Sequence, residues 1–213
     1  MYGILSPFVT SEHLYPSLHV SIHSPRASGG GTSSLAPTLN PLEVTFLQSL
    51  LDNLGGICAF STTIPSSYER TQEYARGSVQ HVWGSGKHVC WGAHHRQVTI
   101  RLCGPPGAHK FEPRSVDASG NPYLLLASIV AVAIEGVDNQ MTLTASNSTA
   151  ALIGQDAKMV AVIPGELPHS FHEAFRCLEE QDIMGKFFGE NSIQVYRGVI
   201  EVCSLPSWVR SDN

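Results

Sequence analysis

An Asn-Pro pair occurs twice, at Asn40-Pro41 and Asn121-Pro122, each directly before an apolar run. Asparagine caps a helix N-terminus with its side-chain oxygen, and proline is pre-set for the first helical turn. The two pairs therefore predict two helix starts, 81 residues apart (121 − 40), with other structure between them. After the first, Glu43 meets the positive end of the helix dipole. Phe46, Leu47, Leu50, Leu51 and Leu54 follow at an amphipathic spacing, and Gly55-Gly56 is predicted to end the helix. After the second, Tyr123 to Ile134 is apolar nearly all round, which predicts a buried helix. A third start is the capping box Ser170-Phe-His-Glu173, leading into Ala174, Phe175 and Leu178. A last helix is predicted over Ser192–Cys203, with Ile193, Tyr196, Val199 and Ile200 on one face.

The segment between the Asn-Pro pairs reads as strands. Lys87–Trp91, Gln97–Cys103 and His109–Arg114 are short and separated by Gly and Pro turns. Val98, Ile100 and Leu102 alternate with Gln97, Thr99 and Arg101, so one face is apolar and Arg101 points to the other. Leu18, Val20 and Ile22 predict an earlier strand, and Ser24–Asn40, centred on Gly29-Gly30-Gly31, a flexible loop. Strand, helix, strands, helices in that order is an α+β pattern, not an alternating α/β one.

Composition removes several function classes. The 213 residues are 42% hydrophobic and 15% charged, enough for one sizeable core and against wholesale disorder. A net charge of −5 offers no basic surplus for nucleic acid or an anionic membrane. The longest apolar run, Tyr123–Ile134, is too short to span a bilayer, and Met1–Thr10 does not resemble a secretory leader. Five scattered cysteines without a CxxC predict buried thiols in a reducing, cytoplasmic compartment.

The densest polar signal lies between Arg70 and Asn121. Arg96, Arg101 and Arg114 fall on or beside consecutive predicted strands, and Glu112 and Asp117 are expected to cluster with them. Glu112 and Arg114, two apart, share a strand face. Arginines aimed into one place call for an anion, whereas a solvated ladder of surface charges is the commoner fate of strand charges. The ten histidines name no metal by spacing alone, and His94-His95 would point to opposite faces of a strand. There is no GxSxG, and Gly84-Ser85-Gly86-Lys87 lacks the spacer and following hydroxyl of a phosphate loop.

Trp91-Gly92-Ala93-His94-His95-Arg96, Ile100-Arg101, Phe111-Glu112-Pro113-Arg114 and Asp117-Ala-Ser-Gly-Asn121-Pro122-Tyr123-Leu124 together resemble the catalytic domain of glutamine synthetase. Ser17-Leu18-His19-Val20 is similar to that family's GxHxH strand, and Ser66-Ser67-Tyr68-Glu69-Arg70 to its NSYxR segment. The stretch from Leu167-Pro168 through Glu201 is similar to its C-terminal helices. The resemblance covers most of the chain and looks closest to the fungal FluG-like branch. It implies a curved antiparallel sheet packed with helices, and a partial catalytic domain over residues 1–213 without the N-terminal β-grasp domain. It also implies an ATP-dependent ligase joining ammonia or an amine to the γ-carboxylate of glutamate through γ-glutamyl phosphate, in a homo-oligomer when complete.

By the same resemblance, His19 and Glu112 would ligate Mg2+ or Mn2+. Arg96 and Arg101 would be catalytic and contact ATP phosphates, and Arg70 and Arg114 would hold glutamate. The family's earlier E-x-E strand and further glutamate pair have no counterpart here. Its second histidine is Ser21, and the asparagines of its NR and NSYxR motifs are His95 and Ser66. The ammonium-binding glutamate after Arg70 has no clear match, with Glu73 the nearest. Impaired activity is expected, and a non-catalytic regulatory or assembly module is the alternative.

Overall fold

The first Asn-Pro pair starts a helix as its chemistry requires. In the computed structural model, which describes residues 18–22, 33–65, 67–68, 87–94, 96, 98–148 and 165–204, helix α1 spans Pro41–Ser61. The Asn40 side chain accepts from the Glu43 N–H at 2.9 Å, and the Glu43 carboxylate accepts from the Asn40 N–H at 2.9 Å. Four more helices are named here among the described residues: α2 (Pro122–Asp138), α3 (Phe171–Glu180), α4 (Asp182–Phe188) and α5 (Glu190–Ser204). The second Asn-Pro pair starts its helix as predicted, and at the predicted capping box the Ser170 cap forms while the Glu173 carboxylate accepts from the His169 N–H instead of that of Ser170. Asn121 accepts from the Tyr123 and Leu124 N–H groups, and Ser170 from that of Glu173.

Helix α1 is the centre of the core, and it is buried well beyond the predicted apolar stripe. Phe46, Leu47, Leu50, Leu54 and Phe60 are fully enclosed, and Gln48, Ser49, Asn53 and Ser61 are buried beside them. Buried polar groups need partners, and these have them. Ser49 Oγ donates to the Val132 carbonyl of α2, and Ser61 Oγ donates to the Ser115 carbonyl. Gln48 accepts from the Thr144 N–H and donates to Asp52. Phe46 meets Phe111 edge to face at 5.1 Å, and Phe60 meets Phe188 and Tyr196 at 5.2 and 5.1 Å.

Gly55-Gly56 does not end α1. The helix runs on to Ser61 and is capped by Thr62, whose N–H bonds the Cys58 carbonyl. The glycines are instead where α3 crosses. A Cβ at Gly56 would sit 3.1 Å from the Leu178 Cα, and one at Gly55 3.3 Å from the Cys177 side chain. Gly136 of α2 plays the same part toward α1, since a Cβ there would lie 2.6 Å from the Thr45 carbonyl oxygen.

Helix α2 also differs from its predicted all-round burial. Leu125, Ile129 and Val132 are buried, but Tyr123, Leu126, Val130, Ile134 and Val137 form an exposed stripe, with Tyr123 85% exposed. An apolar run shows how much of a helix could be buried, not how much the fold has surface to cover. Likewise the predicted face of the last helix is only partly used: Ile193 is buried and Val199 is exposed.

Among the described residues the strands are β1 (Trp91–Ala93), β2 (Ile100–Cys103) and β3 (Lys110–Pro113), in the order β1-β2-β3. The predicted Lys87–Trp91 strand begins only at Trp91, although His88 bridges Glu166. β2 and β3 pair antiparallel, as predicted, with Arg101 opposite Glu112. β1 runs parallel to β2, with Gly92 opposite Arg101, so the sheet is mixed. The early strand is confined to Val20, which exchanges backbone hydrogen bonds of 2.9 and 2.8 Å with Phe111 along the free edge of β3. Residues 24–32 of the predicted loop lie outside the described residues. Trp91, Ile100, Leu102 and Phe111 turn one face of the sheet onto the core.

Two glycines make a paired test of the helix packing. Gly136→Ala should cost about 1–3 kcal/mol through overpacking against Thr45 and Ser49. Gly198→Ala on α5, where nothing lies within 4 Å of the new Cβ, should stabilise by about 0.5–1 kcal/mol. Urea denaturation of both variants measures the two shifts, and equal shifts would contradict the close approach of α1 and α2.

Candidate functional site

Strand alternation that sends Ile100, Leu102 and Phe111 into the core sends Arg101, Cys103 and Glu112 to the opposite face. The register then lines up a row across the sheet. Gly92 is opposite Arg101, and Arg101 is opposite Glu112. Because Val20 pairs with Phe111 in antiparallel sense, His19 falls opposite Glu112. That is a non-hydrogen-bonded position, where facing side chains lie closest.

Glu112 is 7% exposed and carries a guanidinium on each oxygen. Arg101 Nη1 donates to Oε2 at 3.1 Å, and Arg114 Nη1 donates to Oε1 at 3.0 Å. Burial presses the Arg114 pKa below its ordinary value, Glu112 opposes that, and the nearby Arg101 and Arg96 add to the depression. Two guanidiniums thus share one carboxylate, and Arg96 acts on Arg114 from farther off. Arg101 Nε is buried and finds no acceptor among the described residues.

His19 Nδ1 or Nε2, Cys103 Sγ and a Glu112 oxygen all lie within 4.8 Å of one another. Cys103 Sγ is 3.9 Å from Glu112 Oε2. Burial raises the Cys103 thiol above its ordinary pKa, with Arg101 pulling it down and Glu112 pushing it up. Cys103 escaped the reading of the sequence as a site residue, although the signal was there: it stands two places after Arg101 on the same strand and must share its face.

The structure therefore brings His19, Arg101, Glu112 and Arg114 together, with Arg96 within electrostatic reach. Arg70 and Glu73 lie outside the described residues. Asp117 does not join the cluster. Its Oδ1 accepts from the Ser119 N–H at 2.8 Å and from the Ser119 hydroxyl, and its own N–H bonds the Ser61 carbonyl. It forms no ion pair among the described residues, because the chain has left the sheet and is turning toward α2.

The other polar centres are structural. His109 and Glu43 are both buried, with His109 Nδ1 3.1 Å from each carboxylate oxygen, which ties the β2–β3 turn to the start of α1. Of the cysteines, Cys58 and Cys90 are buried as predicted, while Cys103 and Cys177 are half-buried and Cys203 is exposed. Burial pushes the Cys58 thiol up to about 12. Glu166 takes Lys87 at 2.6 Å and His169 at 3.3 Å on the surface, and the Lys87 contact holds its carboxyl below the ordinary range. No helix among the described residues is long and apolar enough to cross a membrane.

Comparison with known proteins gives the site a context. Residues 13–202 match the family described as glutamine synthetase, catalytic domain. Protein fluG of Emericella nidulans is 28% identical over 177 residues, which is 81% of this chain and 19% of that protein. Glutamate–methylamine ligase of Methyloversatilis universalis is 27% identical over 151 residues, 71% of this chain and 33% of that one. A solved structure described as a GmaS/ADP complex has a TM-score of 0.61 over 85% of this chain and 41% of that chain, at 21% identity, so the fold is shared. The chain thus spans about a fifth to two fifths of the proteins it matches.

Removing the Glu112 charge tests the electrostatics. Glu112→Gln leaves Arg101 and Arg114 facing each other and should destabilise by about 3 kcal/mol. Added phosphate should then raise the variant's melting temperature by more than it raises that of the unaltered chain. Equal responses to phosphate would mean that the arginines do not share an anion.

Proposed function

The chain belongs to the glutamine synthetase family, and from that premise we propose that it supplies one catalytic face of an ATP-dependent carbon–nitrogen ligase. In this reading a γ-carboxylate oxygen of glutamate attacks the γ-phosphorus of ATP, and ADP leaves. Ammonia or an amine then attacks the acyl carbon, phosphate leaves and the nitrogen loses a proton. Little of this needs covalent help from the protein; it needs positioned charge. Arg96 and Arg101 are assigned to the phosphates, and Arg114 and Arg70 to the glutamate carboxylates. The observation that carries the reading is the polar sheet face, where Arg101 and Arg114 converge on Glu112 beside His19.

A divalent ion belongs to such chemistry because it screens the polyphosphate. The donors on this face do not fit Mg2+ or Mn2+. Those ions take mainly oxygen ligands in an octahedron, and at Mg–O distances neighbouring donors stand about 3.0 Å apart. Here one carboxylate, one imidazole and one thiol spread over as much as 4.8 Å, and both carboxylate oxygens already accept from arginine. The occupied carboxylate favours a second reading, in which the face binds anions without completing the reaction.

Two measurements separate the readings. Calorimetric titration should detect ATP or ADP binding that Arg101→Ala weakens by about tenfold or more. Unchanged affinity in that variant would remove the phosphate role. With ATP, magnesium or manganese, glutamate and ammonium at saturation, γ-glutamyl product should form at well below about one turnover per second. Faster turnover that Glu112→Ala abolishes would overturn the expectation of an impaired ligase.

A further inference from the structure

The outer side of α2 is apolar along its whole length. Every exposed residue from Pro122 to Val137 is apolar or aromatic, and exposed charge returns only at Asp138. A surface helix ordinarily turns polar residues outward, and a contiguous exposed apolar stripe marks a contact surface. The large residues of the stripe are Tyr123, Leu126, Val130, Ile134 and Val137. We infer that this stripe is the interface of a two-fold dimer, in which α2 packs antiparallel on α2 of a second copy of the chain with Val130 at the axis. The inference is independent of the ligase reading.

Spacing identifies the occupant. The five residues stand 3, 4, 4 and 3 places apart (126 − 123, 130 − 126, 134 − 130, 137 − 134), which keeps them on one face of the helix. The intervals are the same read from either end, with Val130 in the middle. A two-fold interface must be self-complementary, with residue i on j wherever j is on i. Laid antiparallel on a copy of itself, this stripe meets that condition: Tyr123 faces Val137, Leu126 faces Ile134, and Val130 faces Val130. The largest side chain meets a small one, and the inner pairs match in size. A groove of about 420 Å3 runs beside the stripe, between α2 and Val20, Ile22 and Phe46, and reaches Val137 and Asp138. The Tyr123 ring of the second copy enters the groove at that end, with its hydroxyl toward the Asp138 carboxylate, so the phenol's polar tip gains a partner.

Charge fixes the sense of the pairing. Helix α2 carries Glu135 and Asp138 at its C-terminal end and no basic residue. Acidic groups are unfavourable at a helix C-terminus and favourable at an N-terminus. Antiparallel packing brings Asp138 to the first turn of the other α2, whereas parallel packing would set the acidic ends side by side. Area sets the strength. Tyr123 is 85% exposed and the four aliphatic residues are 40–49% exposed, so the stripe offers roughly 500 Å2 per copy. About 1,000 Å2 is then covered in all, the lower end of what a specific interface buries, which fits a weak dimer.

The test is sedimentation equilibrium of the purified, reduced full chain over a range of concentrations. It should report a monomer–dimer equilibrium with a Kd in the micromolar range. Val130→Lys sets two ammonium groups together at the axis and should weaken the dimer by about hundredfold or more. Position 130 is exposed, so the circular dichroism of that variant should match that of the unaltered chain. Val199→Lys, on the exposed side of α5, should leave the dimer as it was. Because residue 130 faces only its own copy, V130C in a Cys203→Ser background should be joined into a covalent dimer by a short bismaleimide. The background alone and V195C on α5 should not be. A dimer that survives Val130→Lys, assemblies larger than two, or a V130C chain that is not cross-linked would each overturn the inference. A monomer at every concentration up to about 1 mM would overturn it too, and would leave the stripe to a different chain.

Discussion

Glu112 lies between Arg101 and Arg114 with one oxygen toward each, and the backbone around it runs where that arrangement requires. Arg101 reaches it across the β2–β3 ladder, and Arg114 reaches it from two residues on along the same strand. Shifting β3 by one residue would put Phe111 on the polar face and Glu112 into the core against Phe46, an exchange that buries an unpaired charge and exposes an aromatic ring. The apolar and polar faces therefore enforce one register between them, and that register sets His19 opposite Glu112.

The sheet is small, and α1 supplies the mass behind it. Phe46 seats against Phe111 on one side, while Ser49 and Gly136 let α2 approach on another, and Gly55-Gly56 lets α3 approach on a third. A helix approached on so many sides cannot be simply amphipathic, so its polar residues must be short or bonded. Ser49 and Asn53 bond helix carbonyls, and Gln48 bonds the chain at Thr144. Glu43 caps the helix and meets His109, so one carboxylate fixes both the start of α1 and the β2–β3 turn. The site face is held by the same helix that carries the core.

What the sequence disclosed follows from which interactions are local. Asn40, Asn121 and Ser170 cap through residues two or three places away, so all three helix starts were legible. The face carrying Arg101, Glu112 and Arg114 was legible too, because alternation along a strand is a local rule. Gly55-Gly56 misled because glycine permits both a helix end and a close helix crossing, and only the position of α3 decides between them. The exposed stripe on α2 and the parallel pairing of β1 were hidden for the same reason. Asp117 was grouped with the arginines by nearness in sequence, yet its turn at Ser119 takes it off the sheet. Cys103 was in plain view, but its significance depends on His19, 84 residues away (103 − 19), arriving at the same edge.

The charge of the whole chain and the charge of this face have opposite signs. A net charge of −5 gives a polyanion no long-range attraction. At physiological ionic strength, however, fields fade over about 8 Å, so a ligand at the sheet responds chiefly to the groups beside it. Among the described residues those include Arg101 and Arg114, both paired with Glu112, with Arg96 exposed nearby. Partial burial keeps water from screening Arg101 and Arg114 fully, and each engages one oxygen of Glu112. On the proposed reading this face accepts an anion, and its selectivity then comes from geometry: how far a guanidinium can turn from Glu112 while still held by the strand that carries it.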